Sequence, residues 1–159
     1  MTALVDEIKV RARLRLNAAR RDAAAADLRL RDCLHDCARA VGFAHWEHAR
    51  RVLGAQALPG EDMGTFWHAP RTGILLNQWF ARYDQAKAVL AADPGAFLLP
   101  YRRQFFLVQD YFIREIGVDP DSLAWAVLKR DMVAGYGSAA WLSLAMHRLR
   151  APAPTFEAG

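Results

Sequence analysis

Long apolar runs are missing from this chain. Its most apolar stretch, residues 104–116, is interrupted by Gln109, Asp110 and Arg114, too short and too polar for the roughly 20 apolar residues that a membrane helix requires. Cysteine is scarce: Cys33 and Cys37 are the only two, too few for a disulfide framework and suited to a reducing compartment. The N-terminal stretch carries Asp6 and Glu7 and lacks the apolar centre of an export signal. Neither end bears a lipidation signature. The expectation from these absences is a cytoplasmic protein that does not engage a membrane. Period-two alternation is also missing beyond four residues, apart from Ala96-Phe97-Leu98-Leu99, and no internal repeat is present. An all-α fold is expected.

What is present is globular in character. Hydrophobic residues make up 53% of the 159 and charged residues 24%, far from the composition of disordered chains. The net charge of +4 is unevenly placed. Residues 1–58 hold 11 Lys and Arg against 7 Asp and Glu, while residues 59–159 hold 10 against 10. An anionic partner for the N-terminal third is the implication.

Helical periodicity begins at once. Val5, Ile8, Ala12, Leu16 and Ala19 share one face of a first helix over 4–21. Asp22 is placed to cap a second, running through residues 23–26 to about 41 and stopped by Gly42. A short third helix spans 44–53, with Trp46, Ala49, Val52 and Leu53 inward and Gly54 at its end. Residues 55–72 lose periodicity and gather Pro and Gly. Leu76, Trp79, Phe80, Tyr83, Ala86 and Leu90 predict a helix over 73–92, broken by Asp93-Pro94-Gly95. Pro100 suits a first helical turn, so a buried helix is expected over 100–116, then helices from about 121 to 132 and from 138 to 150. The resulting expectation is a basic three-helix module (1–58), a loop or linker (59–72), a hydrophobic unit of about four helices (73–150) packed on the module, and a disordered tail (151–159).

Several groups invite a chemical reading. Cys33, Cys37, His45 and His48 pair at one-turn spacing, but zinc sites favour ligands across a tight knuckle, so buried cysteines and histidines on an exposed face are the better expectation, with no metal and no cofactor. The residues Ala38 and Gly42 match a helix-turn-helix, yet the following apolar positions are offset from that motif. Arg11, Arg13, Arg15, Arg20 and Arg21 could contact nucleic-acid phosphates. Arg102 and Arg103 fall in the first turn of the expected helix, where the macrodipole is already positive. An anion held with the help of His68 and Arg71 would resolve that conflict, as would a structural salt bridge. Asn77, Tyr83, Asp84 and Asp110 are polar groups on apolar helices that could line a cleft, or fix helix register instead.

Two resemblances add to this. Ala38, Gly42-Phe43, Trp46, Ala49 and Val52-Leu53 resemble a small helical module found near the N-termini of varied bacterial proteins, some labelled glyoxalase-related. Gly64-Thr65-Phe66-Trp67-His68-Ala69-Pro70-Arg71, Leu76-Asn77, Trp79-Phe80-Ala81, Tyr83-Asp84, Leu99-Pro100-Tyr101 and Gln104-Phe105-Phe106 resemble a family of uncharacterised bacterial proteins. Neither likeness implies a catalytic residue, a cofactor or a substrate.

The function expected is therefore non-catalytic: a helical adaptor or regulator acting on a protein partner, or associating with itself. Its aromatic load (Trp67, Trp79, Tyr83, Phe105, Phe106, Trp125, Trp141) suggests an interface. Nucleic-acid binding through the N-terminal arginines and reception of a small anionic ligand are the alternatives.

Overall fold

The first helix, α1 (Ala3–Arg20), starts where Thr2 accepts the Val5 N–H and buries Leu4, Val5, Ile8, Ala12 and Leu16. It belongs to a computed structural model that describes residues 1–22, 25, 27–71 and 76–159. Helix α2 (Leu30–Ala40) begins later than expected, with Asp32 accepting the Arg29 N–H at 2.9 Å. Residues 23, 24 and 26, assigned above to its start, lie outside the described residues. At Gly42 the φ of 97° ends the chain's turn, and a Cβ there would meet Thr65 Oγ1 at 2.7 Å and Phe66 N at 2.8 Å. Glycine thus does double duty: it stops the helix and lets the 64–66 loop lie against it.

Helix α3 (Trp46–Leu53) has a cap made of imidazoles. His45 Nδ1 accepts the His48 N–H, His48 Nδ1 accepts the Ala44 N–H, and His35 Nδ1 accepts the Trp46 N–H. Each of these nitrogens must offer a lone pair, so two orphan donors of the first turn, Trp46 and His48, and the Ala44 N–H before it are satisfied by side chains. Cys33 and Cys37 are buried in the core, where burial raises the Cys37 thiol above its ordinary range.

The expected all-α class is overturned beyond residue 75. Strand β1 (Gln78–Phe80) precedes α4 (Tyr83–Ala92), and β2 (Phe97–Tyr101) and β3 (Gln104–Val108) form a hairpin. They make a three-stranded antiparallel sheet of order β1-β3-β2, so the fold is mixed α and β. The expected helices over 73–92 and 100–116 are corrected accordingly; residues 72–75 lie outside the described residues. The register pairs Leu99 with Phe106 and Phe97 with Val108 on the face toward the main core. On the other face Leu98 pairs with Leu107, and both pack with Ala86 of α4. Both faces are covered, which is why the run is apolar without alternation. Helices α5 (Asp110–Glu115), α6 (Leu123–Leu128) and α7 (Ala139–Leu149) complete seven α-helices among the described residues. No described helix is long and apolar enough to cross a membrane.

Residues of the expected N-terminal module and of the later unit share one core cluster, from Leu4 to Phe156. The closing residues, expected to be disordered, pack against it: Phe156 is 7% exposed, and the Gly159 N–H donates to Arg39 O at 3.0 Å. Arg148 holds them. Its side chain is fully buried and donates to Phe66 O (2.7 Å), Ile116 O (2.9 Å), His68 O (3.1 Å), and Thr155 O and Oγ1 (2.8 Å each). Its guanidinium lies 3.8 Å from the Phe156 ring centre. Burial pushes its pKa down to about 9, which leaves it charged at neutral pH.

Removing that guanidinium strands several buried acceptors at once. Arg148→Met is expected to lower stability by about 3–5 kcal/mol, the range seen on breaking buried charge networks. Urea denaturation measures it; a loss below about 1 kcal/mol would mean the carbonyls find other partners.

Candidate binding cleft

The β2–β3 turn is only two residues long, Arg102 and Arg103, with Tyr101 paired to Gln104. Arg102 takes a φ of 52°, the left-handed region that glycine occupies at least cost. Its backbone is held on both sides: its N–H donates to Gly64 O at 2.8 Å and its carbonyl accepts the Met63 N–H at 2.9 Å. The turn is thereby pinned to the 57–64 loop. Arg103 Nη1 adds a bond to Gly60 O at 3.0 Å.

These contacts shape a cleft of about 180 Å³ between the 57–63 loop, the hairpin and residues 132–136. Leu58, Met63, Pro100, Phe105, Met132 and Val133 form most of its wall, with Arg102, Arg103 and Glu61 among its charged residues. The hydroxyl groups and the carboxylate of the wall are committed elsewhere. Tyr83 donates to Asp131, whose other oxygen accepts the Val133 and Ala134 N–H groups at 2.9 Å. Tyr136 donates to Val52 O and accepts the Ala57 N–H. Burial, then the Asp131 carboxylate, push the Tyr83 phenol well above its ordinary value; burial raises that of Tyr136. Glu61 is taken by Arg51 through two bonds of 2.8 and 2.6 Å, and that contact lowers its carboxyl. Neither Arg102 nor Arg103 makes an ion pair among the described residues.

The grouping of His68 and Arg71 with these arginines changes in the structure. His68 faces an acid: its Nδ1 lies 2.6 Å from Glu157 Oε2, whose other oxygen accepts the Tyr101 hydroxyl at 3.0 Å. Its ring sits among Trp79, Tyr101, Phe106 and Phe112. Arg71 is exposed. The premise that Arg102 and Arg103 crowd a helix dipole is also corrected, since a strand follows them. Of the four polar residues proposed to line a cleft, only Tyr83 borders this one. Asp84 pairs with Arg82 and Asp110 with Arg114, both exposed, while Asn77 Oδ1 is buried without a hydrogen bond.

On α1, Arg11 bonds Glu7 and Leu149 O, and Arg15 pairs with Asp36. Arg13, Arg20 and Arg21 are exposed. A second, larger hollow lies beside α3, lined by His45, Glu47, His48, Arg50, Arg51, Gln56 and Asp62. Its charged groups pair largely with near neighbours: Arg50 with Glu47, Arg51 with Glu61. It is an open polar surface, and the cleft is the better-formed receptor. Among the described residues no group of three His, Cys, Asp or Glu could hold a metal ion. Sequence reasoning missed Leu58, Met63, Met132, Val133 and Tyr136, which stand in loops whose periodicity carries no signal.

No protein-family model matches the chain, and comparison with curated proteins and with solved structures finds no match. The likenesses noted in the sequence therefore assign no family.

The raised phenol of Tyr83 has a pH consequence. Below about pH 10 it is protonated in both folded and unfolded chains. Above that the unfolded chain gives up the proton while the folded one keeps it, so this contribution to stability is lost as pH rises. The stability difference between wild type and Tyr83→Phe, taken from urea midpoints, is expected to shrink from pH 9 to pH 11. A constant difference would show that the phenol's environment does not favour its protonated form.

Proposed function

We propose that the chain is a non-catalytic binding protein whose cleft receives an apolar side chain of a partner protein. The cleft itself supports this reading. An engineered apolar cavity of about 150 Å³ takes up benzene, so about 180 Å³ matches a single leucine- or phenylalanine-sized group. Binding energy at protein interfaces concentrates in a few such anchors. The walls are pinned by Asp131, Tyr136 and the Arg102 backbone, which reduces the ordering cost of binding. The polar hydroxyls nearest the cavity already serve the fold, which favours reception of an apolar group over acid–base chemistry there.

The aromatic surplus no longer supports an interface. Trp67, Phe106, Trp125 and Trp141 are buried in the core, and of the four tryptophans in that aromatic load only Trp79 is exposed, at 45%. The cleft carries the proposal in their place.

A neutral one-residue probe tests it. Titrating the ¹⁵N-labelled protein with N-acetylleucinamide is expected to shift the amide signals of Tyr83, Phe105, Val133 and Tyr136 together. Val133→Phe, which fills the space, is expected to reduce those shifts several-fold at equal probe. Shifts scattered away from the cleft, or none, would remove the reading.

A further inference from the structure

We infer that the group entering this cleft carries a carboxylate beside its apolar side chain, as the C-terminal residue of a peptide does, and that Arg102 and Arg103 receive that carboxylate. The inference rests on the cleft reading above and adds the chemistry of the occupant.

Charge is the first argument. Glu61, the acid of the cleft wall, is neutralised by the paired contact from Arg51. Neither Arg102 nor Arg103 forms an ion pair among the described residues, and Arg103 acts on Glu61 only from a distance, helping Arg51 to lower its carboxyl. Arg103 Nη1 is anchored on Gly60 O, and the Arg102 guanidinium lies 5.6 Å from the Tyr101 ring centre. Both arginines thus have a partial anchor and donors to spare, since a guanidinium has five N–H groups. Guanidinium donors arranged in a fork suit a carboxylate better than any other common anion except phosphate.

Backbone strain is the second and independent argument. The first position of this turn has positive φ while Arg103 does not, the pattern in which two-residue hairpins prefer glycine. A non-glycine residue there strains its own backbone. An arginine that raises the energy of its own turn calls for a role in its side chain, and the residue borders the cleft.

Size selects the peptide end. The cleft admits one side chain, so the carboxylate must lie on the residue that enters. In a C-terminal leucine or phenylalanine the carboxylate is attached to the same Cα as the apolar group. An aspartate or glutamate elsewhere in a partner would need a second residue to reach the same place.

Three probes test the assignment by ¹⁵N NMR titration: N-acetylleucine, its neutral amide, and 4-methylpentanoate, which has the carboxylate and branched chain without the peptide group. N-acetylleucine is expected to bind about tenfold more tightly than the amide, the worth of about one charge-assisted hydrogen bond. Arg102→Gly and Arg103→Gln are each expected to reduce that preference several-fold. Arg102→Gly is also expected to raise Tm by about 2–4 °C, since it relieves the turn. Equal binding of acid and amide would overturn the carboxylate assignment while leaving the cleft reading intact. Absence of cleft shifts with all three would overturn both. Binding of 4-methylpentanoate as tight as that of N-acetylleucine would replace the peptide end by a small free acid. A lower Tm for Arg102→Gly would remove the strain argument.

Discussion

Arg148 places a positive charge in the protein interior, and the atoms that meet it are carbonyl and hydroxyl oxygens from three separate stretches of chain: the 66–68 loop, the end of α5 and the turn at Thr155. Taking an ion out of water costs several kcal/mol even after relaxation, so each acceptor has to be in place for the others to be worth having. The Phe156 ring completes the enclosure. These three stretches cannot move independently without leaving the charge uncompensated. His68 and Glu157 flank the network and meet as its consequence. Gly64, next to Thr65 and Phe66, then carries the constraint to the Arg102 backbone. The position of the cleft's charged turn is thus coupled through one loop to the buried guanidinium.

The helices of the first third were legible because each has one face inward and one outward. Ile8, Ala12 and Leu16 alternate with arginines at a spacing that only a helix satisfies, and Trp46, Ala49 and Val52 do the same at shorter length. The sheet was hidden for the opposite reason. Leu98 and Leu107 are buried under α4 while Leu99 and Phe106 are buried on the main core, so the strands show no polar face. An apolar run of this length has no period that separates a buried strand from a buried helix. In β1, Trp79 and Phe80 happened to fall in step with Tyr83 and Ala86 of the next helix. The four-residue run Ala96-Phe97-Leu98-Leu99, the one exception noted in the sequence, lies largely within β2.

The site was legible in part. Arg102 and Arg103 stand out in the sequence as charges with a conflict to resolve, and they do have one. Its nature is different: a positive φ in a tight turn in place of a helix dipole. The sequence offers His68, in the loop before them, as a further ligand of the same anion. The structure gives it Glu157, a residue 89 positions away in a tail that composition marks as disordered. The buried Arg148 and Phe156 hold that tail together with the bonds to Glu157 and Gly159, and a single arginine in an amphipathic helix carries no signal that it faces inward.

The excess positive charge bears on which surface binds. Much of the N-terminal arginine complement is spent on the protein itself: Arg11 on Glu7, Arg15 and Arg39 on Asp36, Arg50 on Glu47, Arg51 on Glu61. On the outer face of α1 that leaves Arg13, Arg20 and Arg21, interspersed with exposed Val10 and Leu14. Few phosphates could be neutralised there, and binding strength to nucleic acid grows with that number. Arg102 and Arg103 differ in kind, because they stand beside an apolar hollow. There a charge gains from the lower local dielectric when an occupant excludes water, and an apolar group and an anion can be recognised together. Concavity, more than the count of arginines, is what distinguishes the cleft from the basic helix.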